Sequence, residues 1–239
     1  MQPAYKRVLI KISGEGLMGS KPFGVDNVVV SKIAKQIKDI RNMGVDVCVV
    51  VGGGNIFRGA KEAASGMNRS IADQVGMMAT VINALFLQDA LQKQNVKTVV
   101  MSGLRVPQAC ETYIYRKAIK HLDNGKVIIF AGGTGSPYFT TDTGATLRAC
   151  EMGCDAILKS TQVDGVYDSD PKQNPNAVRF DEISFEEVVQ KQLKVMDLTA
   201  VTLAKENNIS VVVFEQKSEN SIVDAVCLQG KFTIIKNRG

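Results

Sequence analysis

Apolar residues along the chain alternate between short, uninterrupted runs and stretches with helical spacing. The run at residues 7–13 is followed by a helix pattern with apolar residues from Val30 to Met43 on one face, and Gly44 is placed to end that helix. The β-branched run at residues 45–51 has the continuous apolar character of a strand buried on both faces of a parallel sheet. Strands and helices are therefore expected to alternate from the start of the chain.

The same alternation continues to the end of the sequence. Ser184 and Glu187 have the spacing of a capping box, which predicts a short helix. Regular alternation predicts an α/β fold, a mostly parallel open sheet with helices on both faces, in a single domain over residues 1–239. Residues 160–181 lack periodicity, and such a long segment in a compact domain is usually functional or mobile. Predicted helices cover residues 71–93, 109–123, 143–152, 199–207 and 221–228, and predicted strands cover residues 96–101, 126–131, 155–159, 210–214 and 232–235.

Composition and charge restrict the function classes. The 239 residues are 45% hydrophobic and 22% charged, which is ordinary globular usage and disfavours intrinsic disorder. The net charge of +5 suits a protein that handles anions, either nucleic acid or phosphorylated metabolites. A single histidine, His121, disfavours histidine metal clusters and makes Ser-His-Asp chemistry depend on one residue. The absence of tryptophan and the low aromatic content of 6% disfavour a stacking surface for single-stranded nucleic acid.

Cysteine usage and hydropathy predict a cytoplasmic protein. The five cysteines are odd in number and contain no C-x-x-C motif, so we expect reduced thiols. No uninterrupted apolar run approaches the roughly 18 residues that a membrane-spanning helix needs, and the first residues do not resemble a signal peptide. The sequence thus predicts no membrane partner.

Four polar or glycine-rich segments follow predicted strands, where open α/β sheets bind ligands. The first, residues 14–21, contains G-x-G-x-x-G and comes close to a P-loop. Ser20 and Lys21 stand in the reverse of the P-loop order, and the next helix pattern begins only near Asn27, so P-loop and dinucleotide sites are both disfavoured. Lys11, inside the preceding apolar strand, is either a phosphate-binding cation or a lysine of an edge strand.

The second segment, residues 52–59, begins with three glycines after the most apolar strand. Consecutive glycines let backbone N–H groups approach a phosphate, and Arg58 adds a fork of donors. This pattern favours anion binding over a flexible turn. Asp73, near the start of the next helix, either accepts hydrogen bonds from a sugar hydroxyl or is an acid placed favourably in a first helical turn.

The third and fourth segments complete the picture of two anion sites. Residues 131–142 combine glycines, hydroxyls and a helix N-terminus, and Asp142 is either an N-cap or a catalytic group. Residues 159–171 read equally well as a surface turn or a nucleotide-binding loop, and their acid spacing does not match an EF-hand. Two phosphate cradles flanked by lysines, with no candidate nucleophile–base pair, indicate phosphoryl transfer by positioning and charge neutralisation.

At these residues the chain resembles the amino acid kinase family, and within it the bacterial uridylate (UMP) kinases. The resemblance implies an α/β/α sandwich with an acceptor half at about residues 1–152 and an ATP half at about residues 153–239. It also implies Mg²⁺-dependent, reversible transfer of the ATP γ-phosphoryl group to UMP in pyrimidine nucleotide biosynthesis. The ordered motifs that carry it span nearly the whole chain and are Lys11-Ile-Ser-Gly-Glu, Gly52-Gly-Gly-Asn-Ile-Phe-Arg-Gly, Gly66-Met-Asn-Arg, Thr134-Gly-Ser-Pro-Tyr-Phe-Thr-Thr-Asp, Val163-Asp-Gly-Val-Tyr and Leu193-Lys-Val-Met-Asp-Leu.

The resemblance also implies site residues. The catalytic residues it implies are Lys11, Asp142 and Lys159. Those for ATP are Lys11, Ile12, Ser13, Gly14, Gly54, Arg58, Thr161, Tyr167 and Asp170. Those for UMP are Gly53, Asp73, Thr134, Gly135, Ser136, Pro137, Tyr138, Phe139, Thr140 and Thr141. An effector region through which GTP activates is implied at Gly19, Ser20, Lys21, Pro22, Phe23 and Gly24.

Two other features of the family follow as expectations, and three rival functions remain open. The resemblance implies inhibition by UTP and a homohexamer. We assign no protein residue as a metal ligand. A kinase for an amino-acid carboxylate or carbamate would share the fold and the glycine triplet. A non-catalytic oxyanion-binding protein on this fold is the second rival. A nucleic-acid binder is the third, although the sequence has no basic helix or arm.

Overall fold

The computed structural model describes residues 1–57, 66–217 and 219–238. Its strands are β1 (Arg7–Ile12), β2 (Asp46–Val51), β3 (Thr98–Ser102), β4 (Glu111–Thr112), β5 (Val127–Ala131), β6 (Ala156–Thr161), β7 (Val166–Tyr167), β8 (Arg179–Phe180), β9 (Glu182–Ser184), β10 (Ser210–Glu215) and β11 (Phe232–Lys236). Its α-helices are α1 (Asn27–Asn42), α2 (Arg69–Lys93), α3 (Tyr115–Asp123), α4 (Thr141–Met152), α5 (Phe185–Gln190), α6 (Leu198–Glu206) and α7 (Ser221–Val226). A 3-10 turn at Gly14–Leu17 follows β1.

Nine of these strands form one sheet in the order β4-β3-β5-β2-β1-β6-β10-β11-β9. The six strands from β3 to β10 in that order pair in parallel, and β11 runs antiparallel to β10 at one side. Strands β7 and β8 form a separate two-stranded ribbon. The sheet is therefore mostly parallel and open, as the sequence predicted, and β1 and β6 lie side by side at its centre.

Helices cover both faces of the sheet. Side chains alternate along β1, so that Val8, Ile10 and Ile12 pack with α1, α2 and α7, whereas Leu9 points to the face covered by α3, α4, α5 and α6. Lys11 shares its face with Leu9 because the two are two residues apart in a strand. The prediction of a sheet with helices on both faces is confirmed.

Most predicted element boundaries lie within two residues of the observed ones. The capping box at Ser184 and Glu187 is present, and Gly153 ends α4 with a left-handed backbone, φ 62°. The helix predicted for residues 109–123 is wrong over its first six residues, because α3 begins at Tyr115 and β4 precedes it. Strand β9 and the β7–β8 ribbon lie in or next to a segment without periodicity and were not predicted.

Helix α2 qualifies the expectation about membrane-spanning segments. It has 25 residues and is, by length and composition, apolar enough to cross a membrane, with a mean hydropathy of 1.4 in its most apolar window. The same test is passed by core helices of soluble proteins. Helix α2 supplies Val81, Ala84, Leu87 and Leu91 to the core beside the sheet, and its Asn83 is buried among polar partners. These contacts make α2 a core helix of the fold.

Candidate functional site

Two lysines and one aspartate meet above the centre of the sheet. Lys11 of β1 and Lys159 of β6 are aligned on neighbouring parallel strands. Asp142, the second residue of α4, lies above them, with Oδ1 2.9 Å from Lys11 Nζ and Oδ2 2.6 Å from Lys159 Nζ. One carboxylate thus bridges both ammonium groups. The alternative that Lys11 belongs to an edge strand is wrong, because β1 has a paired neighbour on each side.

Burial and mutual charge set the protonation of this cluster. Burial and the neighbouring charge of Lys11 lower the pKa of Lys159 to about 8, although Asp142 and Asp197 act in the opposite direction. Burial raises the pKa of Asp142, but the two lysine charges outweigh it and the net shift is downward. At neutral pH the three groups therefore carry a net charge of +1 in a largely buried place. Such a centre attracts phosphate oxygens.

The glycine-rich loops after β1 and β2 touch each other beside this cluster. A Cβ on Gly14 would lie 2.5 Å from Asn55 Oδ1 and 2.6 Å from Gly54 N. A Cβ on Gly52 would lie 2.9 Å from Gly14 N. Only glycine allows this approach, so the two loops form one backbone surface at the carboxyl ends of β1 and β2.

Two buried asparagines hold that surface in place. Asn55 Nδ2 donates to Asn83 Oδ1 at 3.0 Å, and Asn83 Nδ2 donates to Asn55 Oδ1 at 2.7 Å and to the carbonyl of Gly52 at 2.7 Å. Asn55 also bonds the loop before α1, since its Nδ2 donates to the carbonyl of Gly24 at 2.8 Å. Buried amides satisfied in this way orient a loop firmly.

A first cavity of about 330 Å³ opens on the α2 side of the cluster. Asp73 on its wall accepts hydrogen bonds from Arg69 Nε at 2.8 and 2.9 Å and from the backbone N–H of Tyr138 at 2.8 Å. Tyr138 has a positive φ of 71°, and the Arg69 guanidinium lies 5.6 Å from the centre of its ring. The lining residues are Gly53, Gly54, Phe57, Arg69, Ala72, Asp73, Gly76, Met77, Thr80, Gly133, Phe139, Thr140 and Thr141.

A second cavity, of about 710 Å³, opens on the β6 side. Lys159, Thr161, Tyr167 and Asp170 form one part of its wall, and the segment 191–195 forms another. The Tyr167 hydroxyl donates to Asp164 Oδ1 at 2.6 Å, which fixes that ring beside the opening. Because Lys159 lines this cavity and Thr141 lines the first, the ion pair of Lys159 with Asp142 lies between the two cavities.

Both sequence and structure relate this chain to a known protein family. The model of the amino acid kinase family matches residues 6–215. The chain belongs to the amino acid kinase family. It is 54% identical to a uridylate kinase of Paramagnetospirillum magneticum over 98% of this chain and 97% of that protein, and 53% identical to a uridylate kinase of Wolbachia pipientis over 98% and 94%.

Solved structures agree with this family. A crystal structure of UMP kinase from Ureaplasma parvum superposes with a TM-score of 0.93 at 41% identity, over 99% of this chain and 100% of that one. The structure of UMP kinase from Bacillus anthracis gives a TM-score of 0.93 at 38% identity, over 98% and 97%. The nine-stranded sheet described above is therefore the sheet of this amino acid kinase architecture.

Several residues predicted for this amino acid kinase site lie elsewhere than on the two cavities. The Ile12 side chain lies in the core, and the Ser13 hydroxyl accepts from Gly16 N at 3.0 Å, so each has mainly its backbone to offer a ligand. Arg58 lies outside the described residues. The stretch from Gly19 to Gly24 forms an exposed loop before α1. Predicted residues beside the first cavity that do not line it are Thr134, Gly135, Ser136, Pro137 and Tyr138.

Other residues were missed by the sequence analysis. Asp142 is not the N-cap of α4, because Thr140 caps that helix by accepting from Asp142 N and Thr143 N. Asp197, the N-cap of α6, accepts hydrogen bonds from the hydroxyls of Thr140 and Thr143 and so ties α6 to the start of α4. The motif beginning at Leu193 contains Asp197 and could have pointed to it. Missed residues that line the cavities include Arg69, Gly76, Met77, Thr80, Lys191 and Val213.

Proposed function

We propose that this protein transfers the γ-phosphoryl group of ATP to UMP, giving ADP and UDP, in pyrimidine nucleotide biosynthesis. The observation that carries the proposal is the bridged pair of lysines between two cavities, in a chain more than 50% identical to uridylate kinases over nearly its whole length. Two cavities that meet at one positive centre suit two nucleotides whose phosphates face each other.

The first cavity takes UMP and the second takes ATP. Asp73 offers the first cavity a carboxylate for sugar hydroxyls, and Phe139 and Met77 offer it apolar surface. The second cavity has about twice the volume, and Thr161, Tyr167 and Asp170 surround it beside Lys159. The chain divides accordingly, with an acceptor half at about residues 1–152 and an ATP half at about residues 153–239.

The transfer needs no protein base. An oxygen of the UMP phosphate attacks the γ-phosphorus, the bond from that phosphorus to the β–γ bridging oxygen breaks, and ADP leaves with the electron pair. Because a phosphate monoester is largely a dianion at neutral pH, no proton has to be removed from the attacking group. Lys11 and Lys159 neutralise the charge on the transferred group, and Asp142 bridges and orients the two ammonium groups.

Magnesium enters this site with ATP. The described residues hold no group of three or more His, Cys, Asp or Glu side chains that would bind a metal. Both Asp142 oxygens are already engaged by the lysines. Mg²⁺ is commonly held by substrate phosphates with few protein ligands, and this donor set suits such binding. Bound in that way, the ion would neutralise phosphate charge.

Acceptor specificity is the direct test of the proposed function. ADP release should be measured with ATP and UMP, CMP, aspartate, glutamate or carbamate as acceptor. UMP should give the highest kcat/KM by at least tenfold, and Lys11→Ala should lose nearly all turnover, which excludes a contaminating kinase. Preference for a carboxylate or carbamate would establish the first rival function. Binding of UMP without turnover would establish a non-catalytic protein, and strong salt-dependent binding of duplex DNA would establish a nucleic-acid binder.

Asp73→Asn provides a test of the acceptor site. Asparagine keeps the size of the side chain but loses the charge that accepts from Arg69 and from a sugar hydroxyl. KM for UMP should rise by roughly tenfold while KM for ATP stays within about twofold, since loss of one charged hydrogen bond costs about 1.5–3 kcal/mol. Equal losses for both nucleotides, measured by initial rates, would remove Asp73 from the UMP site.

Regulation and assembly follow the family. GTP would activate at the loop from Gly19 to Gly24, where Phe23 is exposed and where Asn55 bonds the carbonyl of Gly24 beside the glycine loop. UTP would inhibit, and the protein would act in the cytoplasm. Initial rates with added GTP and UTP test both effectors, and Phe23→Ala should reduce GTP activation without altering the basal rate. The proposed assembly is a homohexamer. Exposed apolar residues on α2 support self-association, namely Ile71, Val75, Met78, Ile82 and Phe86.

A further inference from the structure

Glycine is the least favourable residue, after proline, for the interior of an α-helix, so each helical glycine calls for a reason. The described α-helices contain two, Gly76 in α2 and Gly144 in α4. A Cβ on Gly144 would lie 3.3 Å from the carbonyl carbon of Gly133, so the protein itself leaves little room there. The neighbouring loop accounts for that glycine.

Gly76 differs from Gly144. A Cβ on Gly76 would meet no atom of the described residues within 4 Å, apart from the backbone of its own helix. The carbonyl of Gly76 excludes a side chain at residue 53, because a Cβ on Gly53 would lie 2.8 Å from Gly76 O. The contact between loop and helix therefore requires glycine at residue 53, whereas no contact with the described part of the chain requires it at residue 76.

The open space in front of Gly76 is the first cavity. Gly76 lines that cavity together with Asp73, one turn before it, and Thr80, one turn after it. The exposed apolar residue Ile82 lies six positions after Gly76 along α2 and therefore about 120° around the helix from it. A partner packed on the Ile82 face of α2 would not reach Gly76. A side chain at residue 76 would therefore enter the cavity and no other space.

We propose that the missing side chain of Gly76 leaves the room that the acceptor nucleotide occupies against α2. The inference rests on the proposed function and deepens it, since it names the residue that sets the depth of the acceptor site. The inference also explains why α2 keeps a glycine that lowers its stability, since ligand binding requires the space that a side chain would fill.

The substitutions Gly76→Ala and Gly76→Leu test this, because both residues favour helix and differ in volume. In the absence of nucleotide, Gly76→Ala should raise the Tm by about 2–4 °C. Its KM for UMP should rise roughly tenfold or more while its KM for ATP stays within about twofold. Gly76→Leu should also unfold no earlier than the original protein, and UMP should no longer raise its Tm.

Gln74→Ala is the matched control, since Gln74 is an exposed residue of the same helix and does not line the cavity. It should leave both KM values unchanged. A lower Tm for Gly76→Ala would mean that the space belongs to the protein, and an unchanged KM for UMP would mean that the acceptor does not use it. Either result overturns the inference. If UMP fails to raise the Tm of the original protein and is not phosphorylated, the proposed function itself is wrong.

Discussion

At the scale of single residues, the site depends on how three charged groups share a buried place. Lys11 and Lys159 would repel each other, and Asp142 makes their proximity tolerable by contacting both. Burial and the second lysine together leave Lys159 with a pKa of about 8, well below that of an exposed lysine. The positive charge of this cluster is therefore sensitive to mildly alkaline pH.

This pKa predicts the pH dependence of the reaction. With this pKa, about 90% of Lys159 carries its charge at pH 7 and about 10% at pH 9. The proposed role of Lys159 in neutralising phosphate charge requires the protonated form. The kcat/KM for ATP should fall above about pH 8, whereas the fall in kcat should come at higher pH, since bound phosphates favour the ammonium form. Lys159→Arg should move the fall to well above pH 10. If kcat/KM for ATP still falls near pH 8 in that variant, the titrating group is not Lys159.

The role of a residue was predictable from the sequence where the type of side chain decides it, and not where the position of its neighbours in the fold decides it. The pattern pointed to Lys11 and Asp142 but left both with alternative roles, because no sequence rule says which strands become neighbours. Thr140, Thr141 and Asp142 are three possible caps in a row, and the structure uses Thr140, which frees Asp142 for the lysines. Gly76 lies within a clear helix pattern, and the sequence did not predict that it lines a cavity, because that depends on how α2 packs in the fold.

At the scale of elements, hydrogen bonds join the start of α4 to the start of α6. Asp197 caps α6 through Ala200 N and accepts the hydroxyls of Thr140 and Thr143. Element existence was well predicted, since long periodic segments bury one face whatever the tertiary detail. The short β4 and β9 strands were not, because their pairing with β3 and β11 depends on the finished sheet.

Asp197→Ala should reveal this link between helices. The variant loses the α6 cap and leaves two threonine hydroxyls without their acceptor, so the free energy of unfolding should fall by about 2–4 kcal/mol. Asp26→Ala is the matched control, since Asp26 caps α1 through Val28 N alone and its loss should cost about 1 kcal/mol. Urea unfolding followed by circular dichroism would compare the two. Equal losses would mean that the bonds to α4 add nothing.

At the scale of the whole molecule, α2 presents a second face that the described residues leave partly exposed. Ile71, Val75, Met78, Ile82 and Phe86 follow helical spacing, and each is between 37% and 52% exposed. An apolar stripe of this length on a helix is typical of an interface. A second copy of the chain would bring the same stripe, as the proposed self-association requires.

Ile82→Glu should weaken that association. A carboxylate in the middle of an apolar interface is desolvated without a partner, so the assembly should dissociate toward smaller species at micromolar concentration. Sedimentation velocity would measure the change. Gln190→Glu, an exposed residue of α5 on the opposite face of the sheet, should leave the sedimentation coefficient unaltered. An unaltered coefficient for Ile82→Glu would place the interface elsewhere.

The alignment of Lys11 with Lys159 also bears on how the chain matures. Strand β1 is made first, yet one of its two neighbours, β6, is translated about 150 residues later. Until then one edge of β1 stays open, and an unpaired apolar strand edge is where nascent chains pair wrongly. The same closing step brings the second lysine beside the first. A ribosome-bound chain that ends before residue 156 would therefore have an unprotected central strand and would lack the second lysine of the pair.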